Sequence, residues 1–130
     1  MRILIAEDDA VSRQYLYRLM KELGECDLVV DGLETLEAFS VSIKEGRPYD
    51  LICLDIMMPK LDGVKVLKAI REYEFKKDFP PDKRVKVILI TALAKTDSVR
   101  RAFEIGCEGY ITKPYEADKL LEQVKNMGFY

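Results

Sequence analysis

Four short stretches of this chain place charged or hydroxyl side chains directly after apolar runs. "ILIAEDD" delivers Glu7, Asp8 and Asp9, "LICLDIMMPKLDG" delivers Asp55, "ILITALA" delivers Thr91 and "GYITKPY" delivers Lys113. An ionised carboxylate beside a dry core is costly unless something pairs with it, so Asp55 requires a partner. Carboxylates crowded together repel, which raises a pKa or invites a cation. Oxygen donors alone, in a chain without a single histidine, suit a hard ion, magnesium above all. An ionised aspartate beside such an ion can act as a nucleophile toward phosphorus. In phosphoryl transfer the protein mainly positions groups and neutralises charge. Thr91 would donate a hydrogen bond to one phosphoryl oxygen, and Lys113 would offset the charge of another.

These residues meet only if the fold brings them together. Short β-rich runs alternate with helical patterns. Strands are expected at Ile3 to Ala6, Leu28 to Val30, from Leu51, over 85–90 and, weakly, at Gly109 to Thr112. Between them, Val11, Tyr15, Leu16, Leu19, Met20 and Leu23 recur at helical spacing, with Gly24 as a C-terminal cap. Asp31 caps a second helix with Glu34 as in a capping box, and Leu33, Leu36, Phe39 and Ile43 form its inner stripe. Asp62 caps a third helix carrying Val64, Leu67 and Ile70 inward. Asp97 caps a short fourth that stops at Gly106. The last helix, after Pro114, turns Leu120, Leu121, Val124 and Met127 inward. "FKKDFPPDKR", 75–84, reads as a charged, proline-interrupted loop.

Five strand-helix units in strict alternation imply a mainly parallel sheet with helices on both faces. Every strand-to-helix turn then lies on one edge, where such folds place their ligands. Taken singly, each rim residue has a plainer reading. A terminal acid is a helix cap, as we assign Asp31 and Asp62; a threonine is a β-former; "KP" is a turn. Their convergence on one edge favours the chemical reading.

The bulk numbers agree with one domain, 1–130, of 48% hydrophobic and 34% charged residues. A net charge of -2 offers no general attraction for nucleic acid or an anionic membrane. The small basic knot of Lys76, Lys77, Lys83 and Arg84 reads as a solvated loop. Cys26, Cys53 and Cys107 have no paired spacing, which argues against disulfides and zinc and suits a reducing compartment. No apolar run is long enough for a membrane span and the N-terminus is too short for a signal peptide, so the expected location is cytoplasmic.

The four stretches, in this order, resemble those of a response-regulator receiver domain, the phospho-acceptor module of two-component signalling. The resemblance covers essentially the whole chain. It implies the 2-1-3-4-5 doubly wound sheet with five helices, a flavodoxin-like three-layer sandwich, for which the receiver family is itself a standard illustration. It implies Asp55 as phosphoacceptor. Mg2+, with Mn2+ as a substitute, would be held by Asp8, Asp55, the backbone carbonyl of Met57 and, through water, Glu7; Asp9 falls just outside the acidic pair. Thr91, Ala92 and Lys113 would meet the phosphoryl group, and the Lys113–Pro114 bond would be cis. Thr91 and Tyr110 would form the switch that alters the surface of the fourth helix, fifth strand and fifth helix. Tyr110 also has a plain reading as a partly buried strand residue.

Without a histidine, the phosphoryl group must come from a sensor histidine kinase, a histidine phosphotransfer protein or a small acyl phosphate. The resemblance implies a phosphorelay member that controls a downstream protein, catalyses only its own phosphorylation and dephosphorylation, and has the option of dimerising when phosphorylated. Direct contact with nucleic acid or membrane is not expected. The last helix closes at the chain end, which suits a stand-alone receiver and equally a piece of a longer regulator.

Two features depart from the family. The stretch from Asp55 to Thr91 is a few residues long, and the surplus falls in 75–84, away from the chemistry, where it could contact a partner. Met57 and Leu93 are apolar where fast self-dephosphorylating members carry polar groups, which predicts a long-lived phospho-aspartate. Other classes remain to be compared. A haloacid-dehalogenase-like phosphatase needs an acid two places after the nucleophile, where Met57 stands. A degenerate receiver would have lost one of the rim residues. A flavodoxin-like electron carrier would need a phosphate-cradling loop after the first strand.

Overall fold

The computed structural model describes residues 1–92 and 97–129. Leu93, on which part of the expected slow hydrolysis rests, lies outside the described residues. The elements alternate: β1 (Arg2–Ala6), α1 (Ala10–Met20), β2 (Glu25–Val29), α2 (Gly32–Lys44), β3 (Leu51–Asp55), α3 (Gly63–Lys76), β4 (Lys86–Thr91), α4 (Asp97–Ile105), β5 (Gly109–Thr112) and α5 (Ala117–Asn126). The strands form one parallel sheet in the order β2-β1-β3-β4-β5, the doubly wound arrangement expected.

The side-chain period of two divides each central strand between two cores. Leu4, Ala6, Ile52, Leu54, Val87 and Leu89 face α2, α3 and α4. Ile3, Ile5, Leu51, Cys53, Ile88 and Ile90 face α1 and α5. This double burial explains the unbroken apolar runs of β1, β3 and β4. β2, at the sheet edge, is only half-buried, and it begins at Glu25, three residues before the expected start. No cysteine is bridged, and burial pushes the Cys53 thiol up to about 12, so it packs as an apolar residue.

Several expected helix positions are corrected. Val11 and Leu33 are not core residues: they are 79% and 54% exposed. Each lies in a helix's first turn, where the inner face falls instead on Leu16 and Met20 of α1 and on Gly32, Thr35 and Phe39 of α2. Gly24 does not cap α1, which ends at Met20 with Lys21 as its C-cap; Gly24 instead passes so close to the Met1 carbonyl that a Cβ would lie 2.1 Å from it. The segment 75–84 is less of a loop than expected. α3 runs through Lys76, and Pro81–Lys83 form a 3-10 turn. Asp31 and Asp62 are the caps expected, accepting from the Glu34 N–H at 2.8 Å and from the Val64 and Lys65 N–H groups at 3.0 and 3.1 Å. The Glu34 side chain reaches back one residue further than in the usual box, to the Val30 N–H.

A partly buried ionic network, centred on buried Glu74, closes the amino-terminal edge of the sheet. The Arg71 guanidinium donates to Glu74 (2.7 Å), to both oxygens of Glu108 (2.9 and 3.0 Å) and to the carbonyls of Val85 and Gly106 (2.8 Å each). Glu74 in turn accepts from the Val85 N–H and Glu108 from the Val87 N–H, both at 2.8 Å. α3, the entry to β4 and the turn before β5 are thereby tied together.

Candidate functional site

Because all five strands run the same way, their carboxyl ends assemble one rim. β1 ends into Glu7 and Asp8, β3 on Asp55, β4 on Thr91, and Lys113 follows β5. The Lys113 ammonium donates to Glu7 Oε1 at 2.6 Å and to Asp55 Oδ2 at 3.1 Å. The other Asp55 oxygen accepts from the Met57 N–H at 3.0 Å. Asp55 is only 6% exposed and Glu7 is fully buried, whereas Asp8 is open to solvent. The buried carboxylate of Asp55 is therefore stabilised by an ammonium and a backbone donor, which answers the difficulty its sequence poses.

The charges do not balance. One carboxylate oxygen from each of Glu7, Asp8 and Asp55 lies within 4.8 Å of the others, and among the described residues Lys113 pairs with two of the three, Glu7 and Asp55. Burial pushes the Glu7 carboxyl up to about 8; Asp55 pushes the same way and Lys113 opposes. Burial also works against the Lys113 charge, but its bonds to Glu7 and Asp55 outweigh that and its pKa is raised. Glu7 Oε2 is buried and, among the described residues, has no hydrogen-bond partner. An orphaned oxygen in a cluster of hard donors is what a divalent, oxygen-seeking cation would complete, so the donor set fits magnesium.

Thr91 is buried at the end of β4, Ala92 after it is exposed, and the Lys113–Pro114 peptide is cis. The Lys113 N–H donates to the Thr91 carbonyl at 2.8 Å, which fixes the spacing between the lysine's backbone and the threonine's. Tyr110 is half-buried, edge-on to Phe103 at 5.6 Å. The side chain of Met57 is 58% exposed and carries no acid, so the proton donor of a dehalogenase-like phosphatase is missing at that place.

Two contributors escaped the sequence reading. Asp9 is the N-cap of α1, accepting from the Ser12 N–H at 2.8 Å, and those hydrogen bonds hold its carboxyl below the usual range. Its place before a serine three residues on was the available signal. Arg13 donates to the backbone carbonyls of Glu7 (2.9 Å) and Asp8 (3.3 Å), pinning the acidic turn from one helical turn away.

Residues 3–125 match the model of the response regulator receiver domain. The chain is 35% identical over 128 residues to the chemotaxis protein CheY of Treponema pallidum, covering 97% of this chain and 81% of that protein. It is 34% identical to the transcriptional regulatory protein DltR of Streptococcus agalactiae, covering 96% of this chain but 50% of the relative, so it spans about half of that regulator's length. A chain of a CheX-CheY-BeF3-Mg2+ complex from Borrelia burgdorferi superposes with a TM-score of 0.82 at 29% identity, covering 98% of this chain and 88% of that one.

Proposed function

The chain belongs to the response regulator receiver family of two-component signalling, and from that premise we propose that it takes a phosphoryl group onto Asp55. The observation that supports this most directly is the Asp55 carboxylate itself, held between the Lys113 ammonium and the Met57 N–H beside two further acids. Receiver domains interact with histidine kinases or phosphotransfer proteins. A phosphohistidine of either kind, or a small acyl phosphate, is the donor in this reading. One Asp55 oxygen forms a bond to phosphorus as the bond from phosphorus to the donor breaks, and the electron pair leaves with the donor's nitrogen or oxygen. The product is a mixed anhydride on the aspartate.

The chain's own groups supply position and charge. Lys113 follows the negative charge from the carboxylate to a phosphoryl oxygen, the Thr91 hydroxyl donates to another, and Ala92 leaves room for the group. Receiver domains bind Mg2+ at an acidic pocket; here Asp8, Asp55, the Met57 carbonyl and, through water, Glu7 would hold it, with Mn2+ as a substitute. When bound, the ion supplies neutralisation of charge on the transferring group. Thr91 and Tyr110 form a two-state element biased by the new charge, and the surface of α4, β5 and α5 passes the change to a downstream protein or to a second phosphorylated copy. Residues 1–130 act as one domain in a cytoplasmic phosphorelay, and catalysis is confined to the chain's own modification. Among the described residues, no helix is long and apolar enough to cross a membrane.

The test is intact mass after incubation with acetyl phosphate and magnesium. The wild type gains one phosphoryl group and Asp55→Asn gains none. Labelling of the Asn variant would move the acceptor elsewhere, and continuous release of phosphate from a generic ester would make the protein a phosphatase.

A further inference from the structure

The groove between α3 and α4 shares Asp8 and Met57 with the phosphoryl site but extends well beyond it. At the acidic rim it opens as a hollow of about 510 Å3 whose apolar lining includes Met57, Met58, Pro59 and Val64. Further along α3 a second hollow, of about 350 Å3, is lined by Phe75 and Ile105. Lys68 lines both, so the two form one strip along α3. Phe75 is 76% exposed at its far end. Single exposed apolar side chains are ordinary, but this one stands where an apolar groove ends.

Positive charge predominates along the strip. Lys65, Lys68, Lys76, Arg84 and Arg101 line it, are exposed, and make no ion pair among the described residues. Arg71 also lines it but is saturated by Glu74 and Glu108. The opposing acids are few. Asp62 is occupied in capping α3, Asp8 belongs to the acidic cluster, and Glu72 remains. A chain of net charge -2 thus carries an apolar strip edged with free cations. Part of that edge, Lys76 and Arg84, comes from the basic knot in the surplus segment 75–84.

We propose that the α3–α4 groove docks an acidic, amphipathic segment of a partner protein, with Phe75 as its apolar anchor. The apolar floor takes the segment's hydrophobic face and the cations its flanking carboxylates, the helix-in-groove mode of recognition. A nucleic-acid backbone would leave the apolar floor unused. α3, at 14 residues, spans about 21 Å, so a matching segment has about four helical turns. The proposal stands apart from the phosphoryl reading, since none of the residues that line the far half touches Asp55.

The test titrates the full isotope-labelled chain with a synthetic helix-forming peptide of about 14 residues. It carries leucine and phenylalanine at helical spacing and glutamate elsewhere; its lysine-for-glutamate counterpart is the control. Backbone resonance shifts are expected along α3 and α4, with the acidic peptide alone. Phe75→Ala, and separately Lys68→Glu with Arg101→Glu, should each weaken binding about tenfold or more. Unchanged thermal melting would show that these exposed substitutions leave the fold intact, and Asp55→Asn should bind the peptide as wild type does. No binding, equal binding of the basic peptide, shifts on α1 or α5, or indifference to the variants would overturn the proposal. So would tighter binding at this groove by a single-stranded oligonucleotide or a phosphatidylserine vesicle.

Discussion

The two ends of the sheet each bury a cluster of charge, and they are built on opposite terms. At the amino-terminal edge every nitrogen of the Arg71 guanidinium donates, and Glu74 and Glu108 each accept from a backbone N–H as well. At the carboxyl-terminal edge one ammonium bridges Glu7 and Asp55 with Asp8 beside them, and among the described residues Glu7 Oε2 has no hydrogen-bond partner. The first cluster is closed. Among the described residues, the second is short of positive charge. A satisfied buried network rigidifies, while an incomplete one is costly unless something completes it. That difference separates a structural knot from a receiving site more clearly than burial does, since Glu74 and Glu7 are both buried.

Breaking the closed cluster should have the largest effect on stability. Arg71→Met leaves Glu74 buried without its cation and should cost about 3–5 kcal/mol, read from urea unfolding. A loss below about 1 kcal/mol would mean that the edge is not held by charge. Magnesium should sharpen the contrast from the other side. At a hundredfold excess over its dissociation constant it should stabilise the wild type by about 2.7 kcal/mol. Asp8→Asn should lose most of that gain and Arg71→Met should keep it, as thermal melts with and without the ion would register. Asp62→Ala, which removes the cap of the helix joining the two ends, should cost about 1 kcal/mol. It should leave the mass gain from acetyl phosphate in place. The smallest change is expected where function is most concentrated. Asp55→Asn removes one of three mutually repelling carboxylates, so unfolding should shift by less than about 0.5 kcal/mol or toward greater stability. A large loss would show that the rim, too, is a structural cluster.

The open cluster was readable from sequence because its members end apolar runs, and the direction of parallel strands does the rest. The closed one was not. Arg71 and Glu74 look like a solvated i,i+3 pair, and Glu108 is far along the chain. One signal was present: Glu74 continues the inward spacing of Leu67 and Ile70, so its carboxylate had to be buried and matched. Val11 and Leu33 show the converse failure. Periodicity placed them inward, but a helix's first turn can project past the sheet it covers, leaving an apolar residue in water. The roles of Asp9 and Arg13 depend on the path of the backbone at the start of α1, which side-chain patterning does not encode.

Gly63 opens α3 directly behind the end of β3, where its N–H donates to the Ile56 carbonyl at 2.8 Å and an added Cβ would stand 2.4 Å from the Asp55 carbonyl oxygen. Not even a methyl group fits between the helix and the backbone of Asp55. Helix and aspartate therefore share a single wall, with no slack to absorb a displacement on either side. Any side chain at that position would have to push the helix outward or drag position 55 out of line with its lysine.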